Sequence, residues 1–204
     1  MKILKLYCLF FFLAVADCAE PKAWPNVPFK HVVAYCYDFS QDTRGSAITF
    51  PDGSLHKGVI RATTVRLTEP QVKEVIGFLN KVSEEEDGES DCYEPHHAFV
   101  FYDADWKVVA SIDVCFLCED YIARPKGVSE NIDLGALEKF CRGLGLPVLE
   151  KPEAYSALFK QEQASVEVEK AEDKLDEILE KKDEFDPFKN NELIKPSPPL
   201  PVLE

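Results

Sequence analysis

Hydrophobic and polar positions change period several times along the chain, and each change marks an element. Lys30 to Phe39 alternates weakly and is rich in Val and Tyr, a strand signature. Gln41 to Lys57 breaks that pattern with Gly45, Pro51, Asp52 and Gly53 and reads as loop. Gly58 to Leu67 brings Val59, Ile60, Thr63, Thr64 and Val65, residues that favour a second strand. The period then turns helical, with Val72, Val75, Ile76 and Leu79 on one face. Thr68 starts this helix, Pro70 suits its first turn, and Gln71 completes a capping box. Glu84-Glu-Glu-Asp87-Gly88 ends it in a solvated turn.

His97 to Asp103 and Trp106 to Cys115 are the clearest strands, with Asp103-Ala-Asp105 as the turn signal between them. A two-residue turn would set His96 opposite Asp113 and Val100 opposite Val109. A three-residue turn with a bulge would pair His97 with Asp113 instead. By alternation His96, Val100, Asp113 and Cys115 share one face. Phe99, Phe101, Val108, Ala110, Ile112 and Val114 share the other, which lacks charge and is the predicted core face. Asp133 to Arg142 is a short helix with Leu134, Leu137, Cys141 and Leu144 on one side, stopped by Gly143, Gly145 and Pro147. The order β-β-α-β-β-α over residues 30–149 predicts an α+β domain on a mainly antiparallel sheet, with a C-terminal helical extension.

That extension, residues 150–186, is acidic and amphipathic. Tyr155, Leu158 and Phe159 form one apolar patch, and Ala164, Val168, Ala171, Leu175 and Ile178 continue at heptad steps. Barely two repeats argue for a solvated helix docking its first turn on the core, ahead of self-association through residues 157–185. Residues 187–204 end in Lys195-Pro-Ser-Pro-Pro-Leu-Pro-Val, a composition expected to stay extended and disordered.

The other end changes the picture most. Lys2 and Lys5, the apolar run Leu6 to Val15 and the small-x-small triplet Ala14-Val15-Ala16 make residues 1–16 a secretory signal. The run is far shorter than the ~20 residues that span a bilayer, so no transmembrane span is expected in the mature chain. Residues 17–29, with Pro21, Pro25 and Pro28, read as an extended lead-in. Val15-Ala16-Asp17-Cys18 approximates a lipoprotein box, which makes Cys18 a lipidation candidate, although Asp17 departs from the small residue such boxes carry. The chain is therefore expected to be exported: periplasmic, secreted or tethered to the envelope.

Charge excludes one partner class. The formal net charge of −14 argues against nucleic acid, whose phosphates need clustered Lys and Arg. Half of that charge comes from residues 150–204, with 15 acidic against 8 basic side chains.

Candidate chemistry concentrates between Cys92 and Cys118. Cys92-Tyr-Glu-Pro-His96-His97 leads into the hairpin and Cys115-Phe-Leu-Cys118 leaves it, so either register brings Cys92 and the Cys115/Cys118 pair to the same end. Three chemistries fit. A disulfide from Cys92 to Cys115 or Cys118 would staple the hairpin, with a loop-closure stabilisation of ~3 kcal/mol. A closed zinc site would use Cys92, His96 or His97, Cys115 and Cys118 as ligands, with Asp113 orienting the imidazole. A redox-active Cys115/Cys118 pair comes third, because it follows a strand and has Glu119 and Asp120 beside it. Cys36 and Cys141 read as buried core thiols, with a Cys36–Cys141 bridge as the alternative. No phosphate loop, nucleophile elbow or paired-carboxylate signature is present, and the chain leans towards a non-enzymatic module.

The stretch from Cys92-Tyr-Glu-Pro through Phe101-Tyr-Asp103 to Cys115-Phe-Leu-Cys118 resembles an uncharacterised group of small exported bacterial proteins with a Cys-x-x-Pro, Phe-Tyr-Asp and Cys-Phe-x-Cys segment. The resemblance implies export and a shared site, and no activity. Trp106 stands where that pattern has Gly after the turn aspartate.

The expected function is thus a binding or structural module stapled by a disulfide. Metal binding is the first alternative and thiol–disulfide exchange the second.

Overall fold

The computed structural model describes residues 23–82, 92–129 and 131–183, with side chains up to residue 175. Its strands are β1 (His31–Cys36), β2 (Val65–Arg66), β3 (His97–Tyr102), β4 (Val108–Cys115) and β5 (Asp120–Arg124), and its helices are α1 (Glu69–Asn80), α2 (Leu134–Gly143) and α3 (Pro152–Asp183). The strands form one sheet in the order β2-β1-β3-β4-β5, antiparallel at every pairing. The α+β architecture with a C-terminal helix is as the hydrophobic pattern predicts.

α1 and α2 cover one face. Gln71 Oε1 accepts from both the backbone N–H and the hydroxyl of Thr68, and Asp133 caps α2 by accepting from Ala136 N–H at 2.8 Å. Val75 and Leu79 of α1 and Leu137, Phe140 and Cys141 of α2 pack on Phe99, Phe101, Ile112 and Val114. Gly145, at φ 83°, turns the chain out of α2 while Leu146 N–H returns to the Cys141 carbonyl at 3.0 Å. Trp24, within the expected lead-in, joins this core. Its indole N–H donates to Pro125 O at 2.8 Å and its backbone exchanges hydrogen bonds with Asn80.

The opposite face is buried too, which the pattern of alternation does not reveal. Val33, Tyr35, Tyr37, Ala98, Val100 and Tyr102 form a second apolar layer with Ile48. Segment 39–64 covers it with little regular structure. Isolated backbone bridges, Tyr37 to Val59 and Thr49 to Leu55, and buried carboxylates together hold that segment. Asp38 accepts from Ser40 and Gln41, and Asp42 from Arg44 and from the Lys57 backbone. Gly58 is required here, since a Cβ would lie 2.0 Å from the Asp38 carbonyl oxygen.

Three expectations need correction. The strand predicted over residues 58–67 shrinks to Val65–Arg66, because Arg61–Thr63 turns into a single 3-10 turn in which the Thr63 hydroxyl donates to Ile60 O at 2.9 Å. β5 is an element the pattern did not yield, a five-residue edge strand whose Tyr121 and Ala123 face the core. The hairpin register is displaced from both predicted ones: Ala98 pairs Asp113 and His97 pairs Val114. The loop Asp103–Lys107 is longer than either turn considered, with Asp103 Oδ1 accepting from Asp105 N–H and Lys107 N–H. Relative to the two-residue turn the slip is two residues, so faces survive. The bulge at Phe101/Tyr102 nevertheless moves Val108 to the second layer and puts Val109 against the helices.

α3 docks through its N-terminal turns, with Tyr155 buried and Leu158 and Phe159 half-buried on the core. Beyond them Val168 and Leu175 are more than half exposed. Among the described residues no helix is long and apolar enough to cross a membrane. The predicted signal, Cys8, Cys18, the Glu84–Gly88 turn and the Pro-rich tail lie outside the described residues.

Candidate functional site

The open end of the β3–β4 hairpin carries the cysteines and histidines singled out above. Cys92 and Cys118 are joined by a disulfide, with 5.9 Å between their Cα atoms. The bond ties the segment entering β3 to the loop leaving β4. Cys115, the last residue of β4, keeps a free thiol whose sulfur accepts from Cys118 N–H at 3.2 Å. Burial pushes this thiol above its ordinary pKa, which keeps it protonated and works against exchange chemistry.

Both histidines are buried, and each is fixed to a different carbonyl. His96 Nδ1 lies 3.0 Å from Tyr37 O; a carbonyl only accepts, so Nδ1 carries the proton and Nε2 is bare. That Nε2 is buried without a hydrogen-bond partner. Its ring stacks on Tyr155 of α3 at 3.8 Å between centroids. His97 Nε2 donates to Pro147 O at 3.0 Å, and its ring rests against Phe116. Burial holds both rings neutral, pushing His97 down to about 3. Two neutral imidazoles packed against aromatic rings act here as core, anchoring α3 and the loop after α2 to β3.

Asp113 does not orient either imidazole. It is fully buried, accepts from Ile48 N–H at 3.1 Å and is ion-paired with Arg124 of β5. Burial raises its carboxyl despite the guanidinium. Its work is structural: it pins segment 39–64 to the sheet. Among the described residues no three His, Cys, Asp or Glu side chains converge as a metal site. Two of the proposed ligands, Cys92 and Cys118, spend their sulfurs on each other.

Cys36 and Cys141 are free, buried thiols, each pushed up to about 12 by burial. His56, which in sequence stands alone in a loop with no ligand partner, is buried under Tyr37 and Phe50, accepts from Gly58 N–H at 3.0 Å and so carries its proton on Nε2.

No protein-family model matches the chain, and neither a curated protein nor a solved structure is significantly similar to it.

Proposed function

We propose that the chain is an exported binding or structural module whose central hairpin is stapled by a disulfide. The observation that carries this reading is the Cys92–Cys118 bond across the hairpin's open end. Such bonds persist where thiols are not kept reduced, outside the cytosol, and the leader-like first 16 residues supply the route there. The buried histidines and the protonated Cys115 serve packing, which leaves molecular recognition to the surfaces that the stapled sheet and α3 present.

The full chain, expressed in a bacterial host with its own N-terminus, tests this. Fractionation followed by N-terminal peptide mapping is expected to recover a processed chain, beginning between residues 17 and 20, outside the cytoplasm. An unprocessed chain confined to the cytoplasm would overturn the proposal.

A further inference from the structure

The segment 55–64 and α3 together enclose a cleft of about 700 Å³, within the range of roughly 300–1,000 Å³ typical of small-molecule sites. Both walls are anchored elsewhere. On one side the Lys57 backbone donates to buried Asp42 at 3.1 Å, and Gly58 is pressed against the Asp38 carbonyl. On the other, Glu162 of α3 accepts from Ala62 N–H at 2.6 Å while Tyr155 sits in the core. The space between them therefore follows from fixed elements.

Its lining has two parts. Leu55, Val59, Phe159 and Val166 supply apolar wall; Lys57, Arg61 and Lys170 supply positive charge. The one acidic side chain in the lining, Glu162, is the one already engaged by Ala62. In a chain of net charge −14 this local excess of cations stands out. Arginine placement sharpens the point. Arg44, Arg124 and Arg142 each face a carboxylate, and Arg66 lies against His31 and Trp106. Arg61 alone, among the described residues, has neither, and it lines the cleft.

We propose that this cleft binds a small organic anion with an apolar body, a carboxylate on a hydrocarbon chain. The anionic head is taken by the fork of Arg61, supported by Lys57 and Lys170. The chain lies along Phe159 and Val166, where burial of apolar surface supplies the rest of the affinity. The inference deepens the binding-module reading by naming a ligand class. It can fail while processing and export still hold, so the two failures are distinguishable.

Titration calorimetry on the purified mature chain tests it, with dodecanoate below its micelle concentration as the probe and dodecyltrimethylammonium as the cationic counterpart. Dodecanoate is expected to bind at one saturable site, weakening several-fold when NaCl rises from about 50 to about 300 mM. The cationic amphiphile is expected to bind at least roughly tenfold more weakly, and Arg61→Glu to weaken dodecanoate by about as much. Arg61 is exposed, so this variant keeps the fold. Val166→Asp, on the half-exposed face of α3, is expected to abolish binding from the apolar side. Equal affinity for the two amphiphiles, no saturable dodecanoate binding, or an affinity unmoved by Arg61→Glu would each overturn the proposal.

Discussion

His97 shows how a residue chosen for one chemistry serves another. An imidazole beside cysteines suggests a ligand, yet here its Nε2–H donates to Pro147 O and its ring packs against Phe116 and Tyr155. The folded protein holds it neutral down to about pH 3, whereas an exposed histidine titrates near its ordinary value of about 6.5. Between those values the unfolded chain binds the extra proton, so stability falls as pH falls, by up to about 1.4 kcal/mol per pH unit. His56 and His96, also lowered by burial, act in the same direction. The hydrogen-bonded carboxylates Asp38 and Asp42, held below the usual range, lose their contribution only at lower pH. Urea unfolding between about pH 6.5 and 4.5 should therefore show a slope that His97→Gln reduces by up to one proton's worth. An unchanged slope would mean that His97 is accessible to protons in the folded state.

At the scale of elements, what was legible followed local signals. α1 and α2 carry caps and a clean 3.6-residue period, and β1, β3 and β4 carry β-branched and aromatic residues between turn residues. What was not legible depends on the rest of the chain. β5 is short and its Ile122 is exposed, so its pairing with β4 defines it more than its composition. The start of β2 is set by the Thr63 hydroxyl, and the second buried face by segment 39–64, whose carboxylates look solvent-facing in sequence. The hairpin turn is the instructive case. Trp106 sits at φ 61°, a left-handed conformation that normally favours glycine. Its ring stacks on His31 at 4.3 Å, with the Arg66 guanidinium 5.0 Å from its centroid. These contacts, of about 0.5–1 kcal/mol each, offset a backbone penalty of roughly 1–2 kcal/mol. Trp106→Gly exchanges one for the other and should stay within about 1 kcal/mol of the parent. Trp106→Val loses the ring and forces a β-branched residue into the same conformation, for a loss of about 2 kcal/mol or more. Equal midpoints for the two variants in urea would show that the turn does not impose this conformation.

At the scale of the molecule, convergence of Cys92 with the Cys115/Cys118 pair was readable because a hairpin brings its ends together in any register. Which cysteine closes the bond was not readable. It depends on the loop Phe116–Glu119, where Glu119 at φ 51° swings the chain into β5 and leaves Cys118 facing Cys92. The bond spans 26 positions, so in the chain-entropy view it stabilises the fold by about 3–4 kcal/mol. α3, docked by Tyr155 on both histidines, depends on the same end of the sheet, so the staple supports the helix that forms one wall of the cleft.

The most direct measurement is peptide mapping of the native protein, alkylated before and after unfolding, without reduction. The account requires a peptide pair linked through Cys92 and Cys118, with Cys36, Cys115 and Cys141 labelled only once the chain is unfolded. Label on Cys92 and Cys118 without reduction, or a native mass that includes a bound zinc ion, would contradict it.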